Sequence, residues 1–334
     1  MSTTPVQIPI SQQYAIGIDV GGTNTKFGLV NHRGDISYHG AILTHKRDTV
    51  EGFIDELYDA LMPAINDSGG IEYIRGIGIG APNGNIYKGT IEYAPNLKWK
   101  GIIYLADMIG KKFGITARLT NDANAAAVGE MMYGSAKGMR DFIMITLGTG
   151  VGSGIVANGQ LIYGHDGFAG ELGHMIIIPD GRHHPGTGAD GSLEAYASAT
   201  GVARTALEFL ENRPKEDSLM RNYAKEEIDA RVVYDCAIQG DKMAMEVYEF
   251  TGKILGLAFA NFVMFSSPEA IILFGGMSKA GELILKPTRE YMEKHLLPIF
   301  RNKVKIIFSE LKEADAAILG ASALVWESRV SETA

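Results

Sequence analysis

The chain is 334 residues long, with 46% hydrophobic and 21% charged residues, the composition of a folded globular protein of about two domains rather than a disordered or fibrous one. Its formal net charge of −8 argues against a general role on nucleic acid or anionic membrane surfaces, and no segment approaches the roughly 18 uninterrupted apolar residues of a membrane-spanning helix. A single cysteine, Cys236, excludes an intramolecular disulfide and suits a reducing compartment.

The opening segment MSTTPVQIPISQQ has no basic region leading into an apolar run, so no signal peptide is read there and the cytoplasm is the expected location. Residues 14–19 read as a buried strand that runs into GGTNT at 21–25. Strands at 27–30 and 36–43 continue it as a meander, with a turn at 31–34. From Val50, the apolar residues Phe53, Ile54, Leu57, Leu61 and Ile65 recur at helical spacing. Residues 74–79 form a strand with glycine at alternate positions, ending in APNG. A strand at 117–120 follows, and Asn121-Asp122 opens a helix through 125–132. A second unit begins at Asp141: a strand at 142–146, the glycine turn LGTGVGSG, a returning strand at 155–157 and a turn at Asn158-Gly159. This repeats the opening order of strand, glycine-rich turn, strand and turn, a weak internal duplication. Helices are predicted at 202–210 and 242–264, strands at 270–274 and 304–308, and a closing helix at 314–326. The expected architecture is two α/β lobes with a cleft between them and a short hinge near 122–140.

Glycine is the compositional outlier, at 41 residues, about 12% against roughly 7% on average. Two clusters follow strands directly: Asp19-Val-Gly21-Gly22-Thr23-Asn-Thr25 and Leu147-Gly148-Thr149-Gly150-Val-Gly152. Glycine lets a backbone approach an anion and aim several N–H groups at it, while threonine hydroxyls add donors. A plain hairpin turn also fits either segment alone; two such turns at matching places in a duplicated unit favour phosphate binding. The P-loop pattern GxxxxGK[ST] is absent, and a strand follows Gly148-x-Gly150-x-Gly152 where a dinucleotide fingerprint needs a helix. Asp19, at a strand end, is suited to hold Mg²⁺ directly or through water. Gly275-Gly276 ends a third strand and is expected to pass along the adenosine end of a nucleotide.

Polar residues also stand where a plain core would be apolar: Asn96 in APNLKW, Asn121-Asp122 in NDANAAA, Glu171 and His174 in GELGH, and Glu194 in EAYASATG. Each has a structural alternative, since Asn121 or Asp122 also fits a helix N-cap, Glu194 fits a first-turn acid and His174 fits a partly buried histidine. Together they suit a neutral polyol, whose hydroxyls pair with carboxylates and amides and whose nucleophilic hydroxyl needs a carboxylate as proton acceptor. Phosphoryl transfer asks a protein for little beyond positioning and charge neutralisation.

With IGIDVGGTNTKFGLV, GIGIGAPNG, APNLKW, LTNDANAAAVGE, ITLGTGVGSGIVANGQLI, AGELGHM, LEAYASATG and ILFGGMS, spanning 16–278, the chain resembles the ROK family of bacterial sugar kinases and repressors, its glucokinases most of all. The resemblance implies a two-lobed, actin-like, ribonuclease-H-type α/β fold with ATP and sugar in the interlobe cleft. On that fold, 1–122 forms the smaller lobe, the C-terminal segment 314–330 packs back on it, and 123–313 forms the larger lobe. It implies ATP-dependent phosphorylation of glucose, with N-acetylmannosamine, N-acetylglucosamine or fructose as alternative sugars and a non-catalytic sugar-responsive regulator as an alternative role. A repressor of this kind needs a helix-turn-helix before the first strand, and thirteen residues precede Tyr14. By position, Asp122 matches the base at the sugar 6-hydroxyl. Asn96, Asn121, Glu171, His174 and Glu194 match the sugar contacts. Asp19, Gly21, Gly22, Thr23, Thr25, Gly148, Thr149, Gly150, Gly275 and Gly276 fall in the nucleotide-binding turns. ATP and Mg²⁺ are the expected cofactors, the partners are small molecules rather than nucleic acid or membrane, and a homodimer is the implied state. Relatives also carry zinc on His174 and three cysteines of a CxCGxxGC stretch. Here that stretch reads PGTGADGS, with Pro185, Thr187 and Ser192 at the cysteine positions. No structural zinc site is therefore expected, and Thr187, Ser192 or Asp190 is expected to take the ring nitrogen of His174 instead.

Overall fold

The computed structural model describes residues 8–327. In chain order the elements run β1 (Tyr14–Val20), β2 (Asn24–Asn31), β3 (Ile36–Leu43), α1 (Val50–Asp67), β4 (Ile74–Gly80), the short strands β5 (Gly84–Asn85), β6 (Thr90–Glu92) and β7 (Ile102–Ile103), α2 (Leu105–Phe113), β8 (Ala117–Thr120) and α3 (Asp122–Tyr133). There follow β9 (Phe142–Leu147), β10 (Val151–Ala157), β11 (Gln160–Leu161), α4 (Glu194–Ala197), α5 (Ala199–Asn212), α6 (Ala230–Ile238), α7 (Lys242–Ser266), β12 (Ala270–Phe274), α8 (Glu282–His295), β13 (Lys305–Phe308) and α9 (Glu313–Glu327). The chain divides into two compact units. One comprises the chain up to Gly138, Leu161–Ala169 and the chain from Glu310 onward; the other comprises Met139–Gln160 and Gly170–Ser309.

The first unit is built on a sheet of order β3-β2-β1-β4-β8. β1 pairs antiparallel with β2 and parallel with β4, and β4 pairs parallel with β8. Strand side chains alternate between faces, which sorts β1 and β4 into two different surfaces. Ile16, Ile18, Val20, Ile77 and Ile79 join the apolar stripe of α1 (Phe53, Ile54, Leu57, Leu61, Ile65) and α2 in one core. The opposite face presents Ala15, Gly17, Gly76 and Gly78, and α9 lies on it. A Cβ at Gly78 would stand 1.8 Å from the Ala321 carbonyl oxygen, and one at Gly17 would stand 2.2 Å from that of Ile318. The alternate glycines are thus the footprint of a helix backbone. Residues 328–330, which the sequence reading placed in this C-terminal segment, lie outside the described residues.

The second unit repeats the layout. Its sheet has order β11-β10-β9-β12-β13, with β9–β10 antiparallel and β9–β12 and β12–β13 parallel. The sequence β2-β1-β4-β8 therefore recurs as β10-β9-β12-β13, as the weak internal repeat predicts. One expectation is corrected. The glycine-rich LGTGVGSG predicts a turn throughout, but β10 begins at Val151, paired with Leu147, so only 148–150 turn. Gly152 and Gly154 lie within β10, in register with Thr146 and Met144 of β9. Helices α2, α6 and α8 were not foreseen. α8 carries Pro287 inside it and buries only Ile284, Leu285, Thr288 and Met292, which leaves its apolar periodicity weak.

Candidate active site

In the first unit, β1, β4 and α3 bring two carboxylates together. Asp19 pairs in register with Gly80 of β4 and with Lys26 of β2. A Cβ at Gly80 would stand 3.3 Å from the Ala125 Cβ, 3.7 Å from the Asp122 Cα and 4.0 Å from an Asp19 carboxylate oxygen, so this glycine lies beside both acids. Asn121 is the N-cap of α3, its side-chain oxygen accepting the Asn124 N–H at 2.6 Å. Asp122 is the first helical residue, and its carboxylate accepts the Ala123 N–H at 2.8 Å. Asp122 retains an open face, yet the protein packed around it displaces bulk water. Loss of hydration pushes its carboxyl above the ordinary value, with the Ala123 bond opposing in part. Asp19 is pushed up to about 6, first by burial and then by the Asp122 charge, while Lys26 opposes. Lys26 is a member of this cluster that sequence reasoning missed. The signal was its place opposite Asp19 in a hairpin.

The first glycine turn lies against Asn96. A Cβ at Gly22 would stand 3.2 Å from the Asn96 carbonyl oxygen and 3.4 Å from its amide nitrogen, and His45 Nε2 lies 3.3 Å from the same carbonyl. Gly21, Gly22 and Thr23 form the turn, and Thr23 is exposed. Thr25 differs from expectation: it belongs to β2, is fully buried, and shares a 2.9 Å hydrogen bond with Thr44. The Thr44 hydroxyl in turn donates to the Gly21 carbonyl at 2.7 Å. Thr25 therefore braces the turn from below rather than facing a ligand.

In the second unit, the polar residues gather around the first residue of β10. The Val151 N–H donates to the Glu194 carboxylate at 2.7 Å. A Cβ at Gly150 would stand 2.5 Å from the same carboxylate, so Gly150 is glycine because Glu194 occupies that space. Glu171 precedes, and His174 ends, a short helical turn, Leu172–His174, strapped to β10 by Ser153, whose hydroxyl accepts the Leu172 N–H at 3.0 Å and donates to the Gly170 carbonyl. Both are exposed, with His174 Nε2 3.8 Å from the Glu171 carboxylate. Glu194 sits on the first turn of α4, immediately before α5.

The second glycine turn borders a cavity of about 710 Å³. Gly148, Thr149 and Gly276 line one part of it, and Asp229, Arg231, Tyr234 and Lys279 line others. The α5 N-terminus supports this turn, with the Ala199 N–H donating to the Gly148 carbonyl at 2.8 Å and the Ser198 hydroxyl capping Gly201 at 3.0 Å. Unlinked N–H groups at a helix start favour an anion. Gly275 and Gly276 separate in role. Gly275 has φ +102° and no room for a Cβ against Leu147, whereas Gly276 has open space around it. Asp229, Arg231 and Tyr234 went unforeseen because they cap and form α6, which the sequence pattern did not reveal.

The residues at the zinc positions do not fit zinc. Pro185 has no donor, Thr187 and Ser192 offer neutral hydroxyls where thiolates are usual, and the Ser192 oxygen is buried without a partner. Among the described residues, no group of three or more histidine, cysteine, aspartate and glutamate side chains is placed to hold a metal ion. Mg²⁺ is different, since it is commonly held by one or two carboxylates together with substrate phosphates and water, a requirement Asp19 meets. The expected replacement partner for His174 is corrected. Thr187 pairs with His184 at 3.1 Å and Asp190 with His183 at 2.8 Å, because the 183–190 loop folds tightly on itself, with the His184 N–H donating to the Ala189 carbonyl.

The chain matches the family described as ROK family over residues 15–328. It is 36% identical over 319 residues to a glucokinase of Halalkalibacterium halodurans, covering 95% of this chain and 96% of the relative. It is 35% identical to a glucokinase of Thermotoga maritima, covering 93% and 97%. Among solved structures it is similar to a ROK family glucokinase from Streptomyces griseus in complex with glucose and AMPPNP, at 32% identity and a TM-score of 0.76 over 93% of this chain and 98% of that one. No helix among the described residues is long and apolar enough to cross a membrane.

Proposed function

We propose, for a chain that belongs to the ROK family, that its reaction is the ATP-dependent phosphorylation of glucose to glucose 6-phosphate. Glucokinases that match it over nearly their whole length support the sugar and the donor. The observation that carries the chemistry is the place of Asp122, which stands beside Asp19 at Gly80 and whose proton affinity is raised by lost hydration. A carboxylate of raised basicity is a better proton acceptor for a hydroxyl nucleophile. The 6-hydroxyl oxygen bonds to the γ-phosphorus, its proton passes to Asp122, and the bond from the γ-phosphorus to the bridging oxygen breaks to release ADP. Asn96, Asn121, Glu171, His174 and Glu194 hold the sugar hydroxyls. The turns at Gly21–Thr23 and Gly148–Gly150, with Gly276, hold the phosphates and nucleotide. Asp19 holds Mg²⁺, which when bound supplies charge neutralisation to the phosphates. We place the enzyme in the cytoplasm, in keeping with its single, buried, unpaired cysteine, and as a homodimer, which light scattering checks.

The test is a coupled assay with ATP and Mg²⁺ across glucose, N-acetylmannosamine, N-acetylglucosamine and fructose. Glucose should lead in kcat/KM by about tenfold or more, the discrimination expected when a buried hydroxyl partner is left unpaired. Preference for another sugar replaces the substrate assignment, and no turnover with any of them removes the reaction.

A further inference from the structure

The carboxylate of Glu194 is held from two directions. One oxygen accepts the Val151 N–H at 2.7 Å, and the other lies 2.9 Å from His184 Nε2. Both side chains of the latter pair are largely shielded, at 18% exposure for His184 and 14% for Glu194. A carboxylate only accepts, so Nε2 carries the proton. On a neutral ring Nδ1 then accepts, and 3.1 Å away stands the Thr187 hydroxyl. That hydroxyl oxygen has its own donor in the Ala189 N–H at 3.4 Å. On that neutral ring the bonds run in one direction, from the Ala189 N–H to Thr187, to His184, to Glu194.

The base of the loop is fixed independently. Arg182 donates to the Ala195 and Gly201 carbonyls at 2.9 and 3.1 Å, to the Thr205 hydroxyl at 3.0 Å and to Glu208 at 2.6 Å, with its guanidinium 4.6 Å over the Tyr196 ring. His184 also lies edge-on to His174, with ring centroids 6.5 Å apart. It therefore meets two of the three second-unit residues assigned to the sugar, His174 and Glu194. Thr187 stands at one of the positions where relatives carry a zinc-binding cysteine, and its hydroxyl is committed to His184.

We infer that His184 is a positioning residue: through the chain from Thr187 it holds Glu194, and with it the sugar-binding geometry, in place without any metal. The inference rests on the assignment of Glu194 to sugar binding. Each Glu194 oxygen keeps a further lone pair beyond the Val151 and His184 bonds, and those are what a sugar hydroxyl would use. Release of the His184 bond frees one carboxylate oxygen and weakens sugar binding, while the Val151 bond still anchors the other oxygen beside the glycine turn.

Steady-state kinetics on His184→Ala, His184→Gln, Thr187→Val and Glu194→Ala test this, alongside zinc analysis of the unaltered protein. His184→Ala should raise the glucose KM about tenfold or more, the effect of losing one hydrogen bond to a charged group, and leave the ATP KM within about twofold. His184→Gln, whose amide nitrogen reaches the same oxygen, should return the glucose KM to within about threefold of the parent. A glutamine variant as impaired as the alanine one overturns the inference, as does an ATP KM that rises in step with that of glucose. If His184→Ala does not fold, Thr187→Val decides: its glucose KM rises at an unchanged melting temperature, or the chain is inert and the inference falls. Glu194→Ala separates the two levels. An unchanged glucose KM there removes the sugar assignment and the inference with it; a raised KM there with none in the His184 variants removes the inference alone. Zinc should fall far below one per chain, and stoichiometric zinc whose removal raises the glucose KM overturns the metal-free clamp.

Discussion

Lost hydration sets the proton affinity of Asp122, and it makes the proposed catalytic role and stability oppose each other at one residue. The folded protein holds a proton on this carboxyl more tightly than the unfolded chain does. The sign follows from linkage: the contribution to stability is fully present below the unfolded pKa and is lost as pH rises through the folded one. Asp122→Asn keeps an oxygen for the Ala123 N–H and never ionises. It should therefore lower turnover by about 10²- to 10⁴-fold, the usual loss of a general base. It should also melt higher than the parent at about pH 8, an advantage that shrinks toward about pH 4. Rate and calorimetry on one preparation check both; turnover within about threefold of the parent removes Asp122 as base. The same variant relieves Asp19, whose value of about 6 owes part of its rise to the Asp122 charge.

Among the elements, α9 shows most clearly how sequence becomes contact. It crosses the small face of β1 and β4 so closely that backbone meets backbone, and it also meets α3 where a Cβ at Gly320 would stand 2.6 Å from the Ala125 carbonyl oxygen. α3 carries Asp122, so the helix that ends the described chain also seats the helix that holds the proposed base. Gly78→Ala would drive a methyl to 1.8 Å from the Ala321 carbonyl oxygen. It should cost about 3 kcal/mol or more, as overpacking against an unyielding backbone does. Gly276→Ala meets nothing within 4 Å and should leave the melting temperature within a few degrees while raising the ATP KM. Equal melting temperatures for Gly78→Ala and the parent would show that α9 does not press on the sheet.

At the scale of the whole molecule, a sugar that binds only the folded protein must stabilise it. Glucose at about a hundred times its Kd should add about 2.7 kcal/mol, read as a rise of several degrees in melting temperature, and the rise should persist in Asp122→Asn. A protein whose melting temperature ignores glucose while responding to another hexose would redirect the substrate assignment. Much of this molecule was legible in its sequence. β8 and β12 fall where the apolar runs place them, and the repeated order of strand, glycine turn and strand foretold two sheets of one topology. The clustering of acids and amides beside those turns marked the candidate site. These features are local, since alternation, turn chemistry and short motifs act between neighbours in the chain. What a given glycine or threonine is for was not legible. Gly78 makes room for Ala321, Gly150 for Glu194, and Thr25 points into the unit to meet Thr44. The partner of Glu194 was equally hidden, because His184 and Glu194 meet only when the 183–190 loop closes under Arg182. Tertiary packing decided these roles, because a side chain's use depends on what stands within a few ångströms of it, and residues distant in sequence supply most of those neighbours.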